Sequence, residues 1–403
     1  MKHFTWALYA TYFLCGHVLI VFGSVMPQII KHYHLSYTES GMLVFNGTAG
    51  FLLGVVIAAY LIKRIGYKKI LSSISIFVAA VQFEMLLTPP FGLVYFLNFL
   101  SGVAMAVLQI VVATIIMETY VGRRAVMMSR TEVAFGLGAL CMPVISSILI
   151  TFDTWRHSFL VTSILAVFVA VIWQMISVPA NHMDQDSAKP LDAANPPPRT
   201  MNRKMKKILL SLFLFMIFIY DGIETSLNNF LPSIFITHVR VVPSYASLSV
   251  SVFWIAMVIG RALTGWIVKK VTYHRFLLWS ITGTICLLAC FAIWRNVIFC
   301  YILLFFLGLT MSGIYSITMV FANHTFPGLI RFVTSLVTGF AGFGSALFPA
   351  ILGYAMDHTN TLVSLWIITG YSCLFLFALL VLLLLLFIKR KVRFLVTSNT
   401  EKG

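Results

Sequence analysis

Charge is scarce in this chain of 403 residues: only 10% of positions are Asp, Glu, Lys or Arg, against about 25% in ordinary soluble domains. So little charge cannot keep in solution a chain that is 60% hydrophobic, and a water-soluble globular protein is excluded. Acidic residues are scarcer still, 12 against 28 Lys and Arg, which leaves a net charge of +16. The six cysteines form no CxxC pair, so a zinc or dithiol redox motif is absent, and they read as small apolar packing residues. Neither a GxxxxGK[ST] phosphate loop, an HExxH pair nor a nucleophile elbow occurs, and no soluble segment is long enough to hydrolyse ATP. The expectation is a protein that is not an enzyme, that carries no cofactor or metal and that does not pump by itself on ATP.

What the sequence does have is long apolar runs. They are expected to span the membrane near 4–30, 41–62, 69–88, 93–116, 131–151 and 158–178, and again near 207–231, 245–268, 276–294, 298–322, 333–355 and 363–388. Each covers a hydrocarbon layer of about 30 Å at about 1.5 Å per residue. Lipid offers no water to unpaired backbone groups, and the alternation of a membrane barrel is missing, so the spans read as helices. No small-residue cleavage site follows the first run at the usual distance, and Pro27 and Gln28 suit a helix end, so this span is expected to be retained.

The basic residues are sorted by side. Lys63, Arg64, Lys68, Lys69, Arg123, Arg124, Arg130, Lys206, Lys207, Lys269, Lys270, Arg275, Arg331, Lys389 and Arg390 share one side of the alternating spans, with only Lys31, Arg156, Arg240 and Arg295 on the other. By the positive-inside rule both termini and the middle loop are expected in the cytoplasm, in a multi-pass protein of the cell membrane. The basic balance is a topology signal with some contact to anionic lipid headgroups, so nucleic acid is not an expected partner. Residues 180–206, with Asp184, Asp186, Asp192 and Pro196 to Pro198, cannot form a core and read as a cytoplasmic linker. The expected division is a first six-helix half at 1–179, the linker at 180–206, and a second half with a short basic tail at 207–403.

A nearly constant shift of 206 residues lays one half on the other. Gly54 falls on Gly260, Gly102 on Gly308, Gly136 on Gly342, Gly138 on Gly344, Pro143 on Pro349, and Lys63–Arg64 on Lys269–Lys270; Pro27 falls on Pro232 with a shift of 205. Chance apolar similarity does not hold Gly, Pro and basic residues in register, so an internal duplication is indicated. Six spans per copy preserve orientation, giving parallel repeats with a solute site expected between them near the midplane.

The loop Ala59-Tyr-Leu-Ile-Lys63-Arg64-Ile-Gly66-Tyr67-Lys68-Lys69 resembles the signature loop between spans 2 and 3 of the major facilitator superfamily, and Gly265 to Arg275 resembles its second copy. Ala59 departs from the first glycine of that loop, and Lys63 from its aspartate. Ser129 to Leu140, Tyr220-Asp-Gly222-Ile-Glu224-Thr225, Asn229 to Ile234 and Val252-Phe-Trp254 are similar to segments of the fucose, galactose and glucose proton symporters, although Gln109 stands in span 4 where that branch carries an acid. The resemblance implies an all-helical fold of twelve spans that moves a small solute by alternating access, with spans 1, 4, 7 and 10 lining the cavity.

Ionisable groups within a membrane cost at least about 2.5 kcal/mol, so each needs a partner, a wet cavity or a task. Asp221 and Glu224 lie roughly 21 and 26 Å up span 7 from Lys207, and with Asn228 they share about 60° of one helix face. Asn229 lies beside them. Clustered carboxylates and amides suit a polyol, and two neighbouring carboxylates can share a proton, so Asp221 and Glu224 are candidates for proton coupling. His17, roughly 20 Å into span 1, is a third. Asn46, Gln109, Asn228, Asn229 and Tyr315 are the candidate solute ligands. Arg261, whose repeat counterpart is Val55, is expected to pair with Glu132 as a gate. Glu84 and Glu118 read as interfacial, and Asp153 and Asp357 as surface charges of outer loops.

The expected activity is uptake of a hexose by proton symport, in a monomeric chain driven by the proton gradient. Proton-antiport efflux of amphipathic compounds is the alternative, suggested by 35 Phe and 18 Met.

Overall fold

The computed structural model describes residues 2–120, 124–176, 203–268, 270–326 and 329–400. Among them are fourteen α-helices: α1 Lys2–Ser24, α2 Met26–Tyr33, α3 Tyr37–Arg64, α4 Tyr67–Leu86, α5 Phe91–Thr119, α6 Arg124–Thr151, α7 His157–Met175, α8 Arg203–Ile234, α9 Pro243–Ile267, α10 Tyr273–Ile293, α11 Val297–Met311, α12 Ile314–Thr325, α13 Ile330–His358 and α14 Thr361–Thr400. Twelve stretches are long and apolar enough to cross a membrane, with α11 and α12 together making one span and α2 lying outside them. An even number of spans puts both ends of the chain on one face, the terminal face; the opposite one is the distal face.

Boundaries differ from expectation where proline acts. The first span ends at Ser24, and Pro27 sits in the first turn of α2, where its missing N–H costs nothing. The seventh span runs through Pro232 to Ile234 and then continues as a π turn, Phe235–Val239. Most of the expected linker, 180–202, lies outside the described residues, while Arg203 to Lys206 already belong to α8.

Helix pairing repeats in order. In the first six spans α1 packs on α6, α3 on α5 and α4 on α7; in the last six α8 packs on α13, α9 on α11 and α10 on α14. Individual contacts repeat too. Gly138 lies against the carbonyl of Phe13, and Gly344 against that of Phe218, each so close that a Cβ would overlap the oxygen. Small residues let helix backbones approach in lipid, and here the duplication seen in sequence is a duplication of contacts. Between the two sets, α3 packs on α13, α6 on α9 and α1 on α8.

The distal face is sealed. Pro232 has no N–H for the carbonyl of Asn228, four residues back, and Gly23 of α1 packs directly on that freed oxygen. Gly41 of α3 packs on the Pro349 carbonyl, and Gly353 of α13 on the Tyr37 carbonyl. Ser247 and Ser251 of α9 donate to the carbonyls of Pro143 and Leu140 of α6, at 3.2 and 2.9 Å. Asp357, expected on a loop as a surface charge, instead stands on the last turn of α13 and accepts bonds from Tyr37 and Thr38 of α3.

Candidate transport site

The centre of the site is α8, whose Tyr220, Asp221, Glu224, Thr225, Asn228 and Asn229 face three neighbouring helices. Tyr220 is buried and its hydroxyl donates to the Met311 carbonyl at 2.9 Å, tying α8 to α11. One turn on, Thr225 donates to Ser345 Oγ of α13 at 2.9 Å, and Ser345 donates in turn to an Asp221 carboxylate oxygen. The directions are consistent: each hydroxyl gives its one proton, Ser345 also receives that of Thr225, and the relay ends on the carboxylate acceptor.

Asn228 accepts from the indole N–H of Trp254 (α9) at 3.1 Å, and Asn229 donates to the Thr225 carbonyl of its own helix at 2.9 Å. Trp254, 1% exposed, stacks edge to face with Phe135 of α6 at a centroid distance of 5.9 Å. On its other side the Arg261 guanidinium carbon lies 5.3 Å from the ring centroid.

Arg261 joins the two sets of spans. Its Nη1 is 3.9 Å from Glu132 Oε2 of α6 and its Nη2 is 3.6 Å from Glu224 Oε1 of α8. Both are ion-pair distances too long for direct hydrogen bonds, so the guanidinium is held by charge and by the Trp254 face rather than locked into a bidentate fork. Its side chain is 31% exposed and that of Glu132 is 48% exposed, against 13% for Glu224. Gly136, one turn beyond Glu132, packs on Val258, one turn before Arg261. The two charges therefore lie along the α6–α9 contact, in the terminal half of both helices, and are partly exposed there.

The other candidates separate from this cluster in different ways. The ring of Tyr315 of α12 lies 6.5 Å from that of Tyr220. Gln109 takes the Tyr12 hydroxyl on its backbone carbonyl at 3.4 Å, tying α5 to α1. Asn46 donates to the Tyr95 carbonyl at 2.5 Å; with Asn98 donating to Leu43 at 2.7 Å it clamps α3 to α5. His17 is 2% exposed, lies 4.9 Å from the Phe13 ring at a tilt of 45°, and neither ring nitrogen has a hydrogen-bond partner among the described residues. Glu118 accepts from Tyr67 at 2.8 Å at the terminal end of α5.

Sequence reasoning missed Ser345, Thr225 and Trp254 as parts of the cluster. Comparison of the repeats carried a signal for one of them: Ser345 falls on Ala139 at the shift of 206, a polar residue beside Gly344 where the first copy has a methyl group.

Twelve spans paired in a repeated order, with a charged cluster shared between the two sets, define a multi-pass membrane transporter. The family model of the Major Facilitator Superfamily matches residues 8–328 and 213–403, and the chain belongs to that family. It is 29% identical over 366 residues to the glucose/mannose transporter GlcP of Bacillus subtilis (strain 168), covering 90% of each chain. It is 20% identical over 326 residues to a TsgA homolog of Buchnera aphidicola, covering 79% of each. Among solved structures, a variant of the nucleoside transporter NupG superposes with a TM-score of 0.77 at 13% identity, covering 94% of this chain and 99% of that one. A D-xylose-proton symporter superposes with a TM-score of 0.74 at 15% identity, covering 94% and 97%.

Proposed function

We propose that the protein takes up a hexose with a proton by alternating access, with both termini and the terminal face in the cytoplasm. The observation that carries this reading is the position of Arg261 between Glu132 of the first six spans and Glu224 of the last six. One cation faces three carboxylates, counting Asp221 three residues before Glu224, so the charge balance of the cluster depends on protons. A proton on Glu224 removes one of Arg261's two partners and leaves it to Glu132, which draws α9 toward α6 on the cytoplasmic side. Loss of that proton returns Arg261 to Glu224 and loosens the contact between the two sets of spans. Coupling follows when solute occupies the same face of α8 and only the loaded, protonated cluster completes the exchange.

A hexose suits the groups present. Asn228, Asn229, Asp221 and Tyr315 supply donors and acceptors for hydroxyls, and the likeness to the glucose/mannose transporter covers nearly the whole chain. An amphipathic efflux substrate would cover these groups without meeting the hydrogen-bonding capacity they have left, at about 1–3 kcal/mol for each group so desolvated. The test is uptake of labelled glucose, mannose, xylose and a nucleoside into proteoliposomes with an imposed inward proton gradient. Hexose uptake that collapses when the gradient is dissipated supports the reading. Extrusion of a dye with no movement of any sugar overturns it.

A further inference from the structure

At the distal end of α3 the backbone donors can be accounted for one by one. The first turn of a helix has N–H groups with no partner inside the helix. Ser36 caps α3 through its hydroxyl, which accepts from the N–H of Glu39, and the Glu39 carboxylate reaches back to the Ser36 N–H at 2.8 Å. That capping box leaves the N–H groups of Tyr37 and Thr38. Both are taken by Asp357: Tyr37 N donates to Oδ1 at 2.8 Å, and Thr38 N and Oγ1 donate to Oδ2 at 2.6 and 2.5 Å. A carboxylate carried by the eleventh span thus completes the cap of the second span, where the helix dipole also favours negative charge.

The duplication supplies an internal control. At the shift of 206, Tyr37 falls on Pro243, which has no N–H to give, and Asp357 falls on Thr151, which has no charge and whose hydroxyl donates to Ser147 of its own helix at 2.9 Å. The α3–α13 contact therefore has a device that its counterpart, α9 against α6, lacks. Beneath it the two backbones already touch, with Gly41 on Pro349 and Gly353 on Tyr37, and Ser40 is wholly buried.

We propose that Asp357 is a positioning residue for transport: it latches the distal entrance by capping α3, and the latch must open for the site to face the distal side. The proposal rests on the alternating-access reading but not on the identity of the solute. Opening exchanges three bonds to one carboxylate for bonds to water, so the closed conformer is favoured without being made permanent.

The test uses Ser40→Cys in the full-length protein in proteoliposomes without solute, with a membrane-impermeant maleimide and modification read on the peptide that contains residue 40. In this background the site is shielded and reacts slowly. Asp357→Asn is expected to raise the rate by about tenfold, Asp357→Glu to recover part of the protection, and Asp153→Asn, at another distal acid, to leave the rate unchanged. An unchanged rate in Asp357→Asn, or an equal rise in Asp153→Asn, overturns the latch. Since no solute is present, failure of the hexose reading leaves the labelling result standing, and failure of the latch leaves the hexose reading standing.

Discussion

Arg261 Nη2 of α9 stands 3.6 Å from Glu224 Oε1 of α8, within the reach of charge and beyond that of a hydrogen bond. The same guanidinium reaches Glu132 of α6, so the expected gating pair and the expected coupling carboxylate are one cluster.

A simple charge swap distinguishes the shared cluster from an isolated pair. In an isolated Glu132–Arg261 pair, Glu132→Arg with Arg261→Glu restores the attraction. Here the swap also sets a glutamate at 261 against Glu224, so the double variant is expected to stay as inactive as Arg261→Glu alone, below about a tenth of parental uptake. Adding Glu224→Gln to the swap relieves that repulsion and is expected to restore glucose counterflow, measured in proteoliposomes preloaded with unlabelled glucose. Full recovery of uptake by the simple swap contradicts the shared cluster.

Trp254→Phe keeps the stack on Phe135 and a ring face for Arg261 but deletes the indole N–H that holds Asn228. Losing one buried hydrogen bond to a binding residue costs about 1–2 kcal/mol, so the KM for solute is expected to rise by about tenfold with kcat little changed. Initial-rate uptake over a range of solute concentrations measures both.

Much of this was legible before any coordinates, and the division is instructive. Twelve spans, the repeat and the depth of Asp221, Glu224 and Arg261 follow from where charges and prolines interrupt apolar runs. Glu132 and Arg261 could be paired because both lie near the terminal end of spans that the superfamily resemblance sets face to face. Rotation and partners are another matter. Nothing in the sequence says that Arg261 also reaches Glu224, because α8 and α9 each offer several faces at that depth. Asp357 read as an ordinary surface acid because two of its three donors are backbone N–H groups, which leave no mark on side-chain composition. The partner of Asn46, the Tyr95 carbonyl, is just as invisible in side-chain composition.

Ser345→Ala breaks the relay between Thr225 and Asp221 and leaves a carboxylate short of a donor. The expected loss is about 1–3 kcal/mol of stability, seen as a lower midpoint of thermal unfolding in detergent, with partial recovery by Ser345→Thr. An unchanged midpoint would place Asp221 outside any relay.

Helix contact through glycine gives a prediction free of any assumption about solute. Gly344→Ala sets a Cβ into the Phe218 carbonyl, and Gly138→Ala into that of Phe13, while a Cβ at Gly370 meets nothing within 4 Å. The first two are expected to abolish folded protein in the membrane fraction and the third to be silent, as read by fluorescence-detected size exclusion of tagged chains.

The central claim is that solute and proton move together through the Glu224–Arg261 cluster. Its most direct measurement is proton flux driven by solute alone: proteoliposomes with an internal pH dye and no imposed gradient, to which glucose is added outside. The account predicts that the lumen acidifies as glucose enters, and that Glu224→Gln abolishes the acidification while glucose counterflow persists. Glucose entering the parental vesicles with no change in internal pH would contradict it.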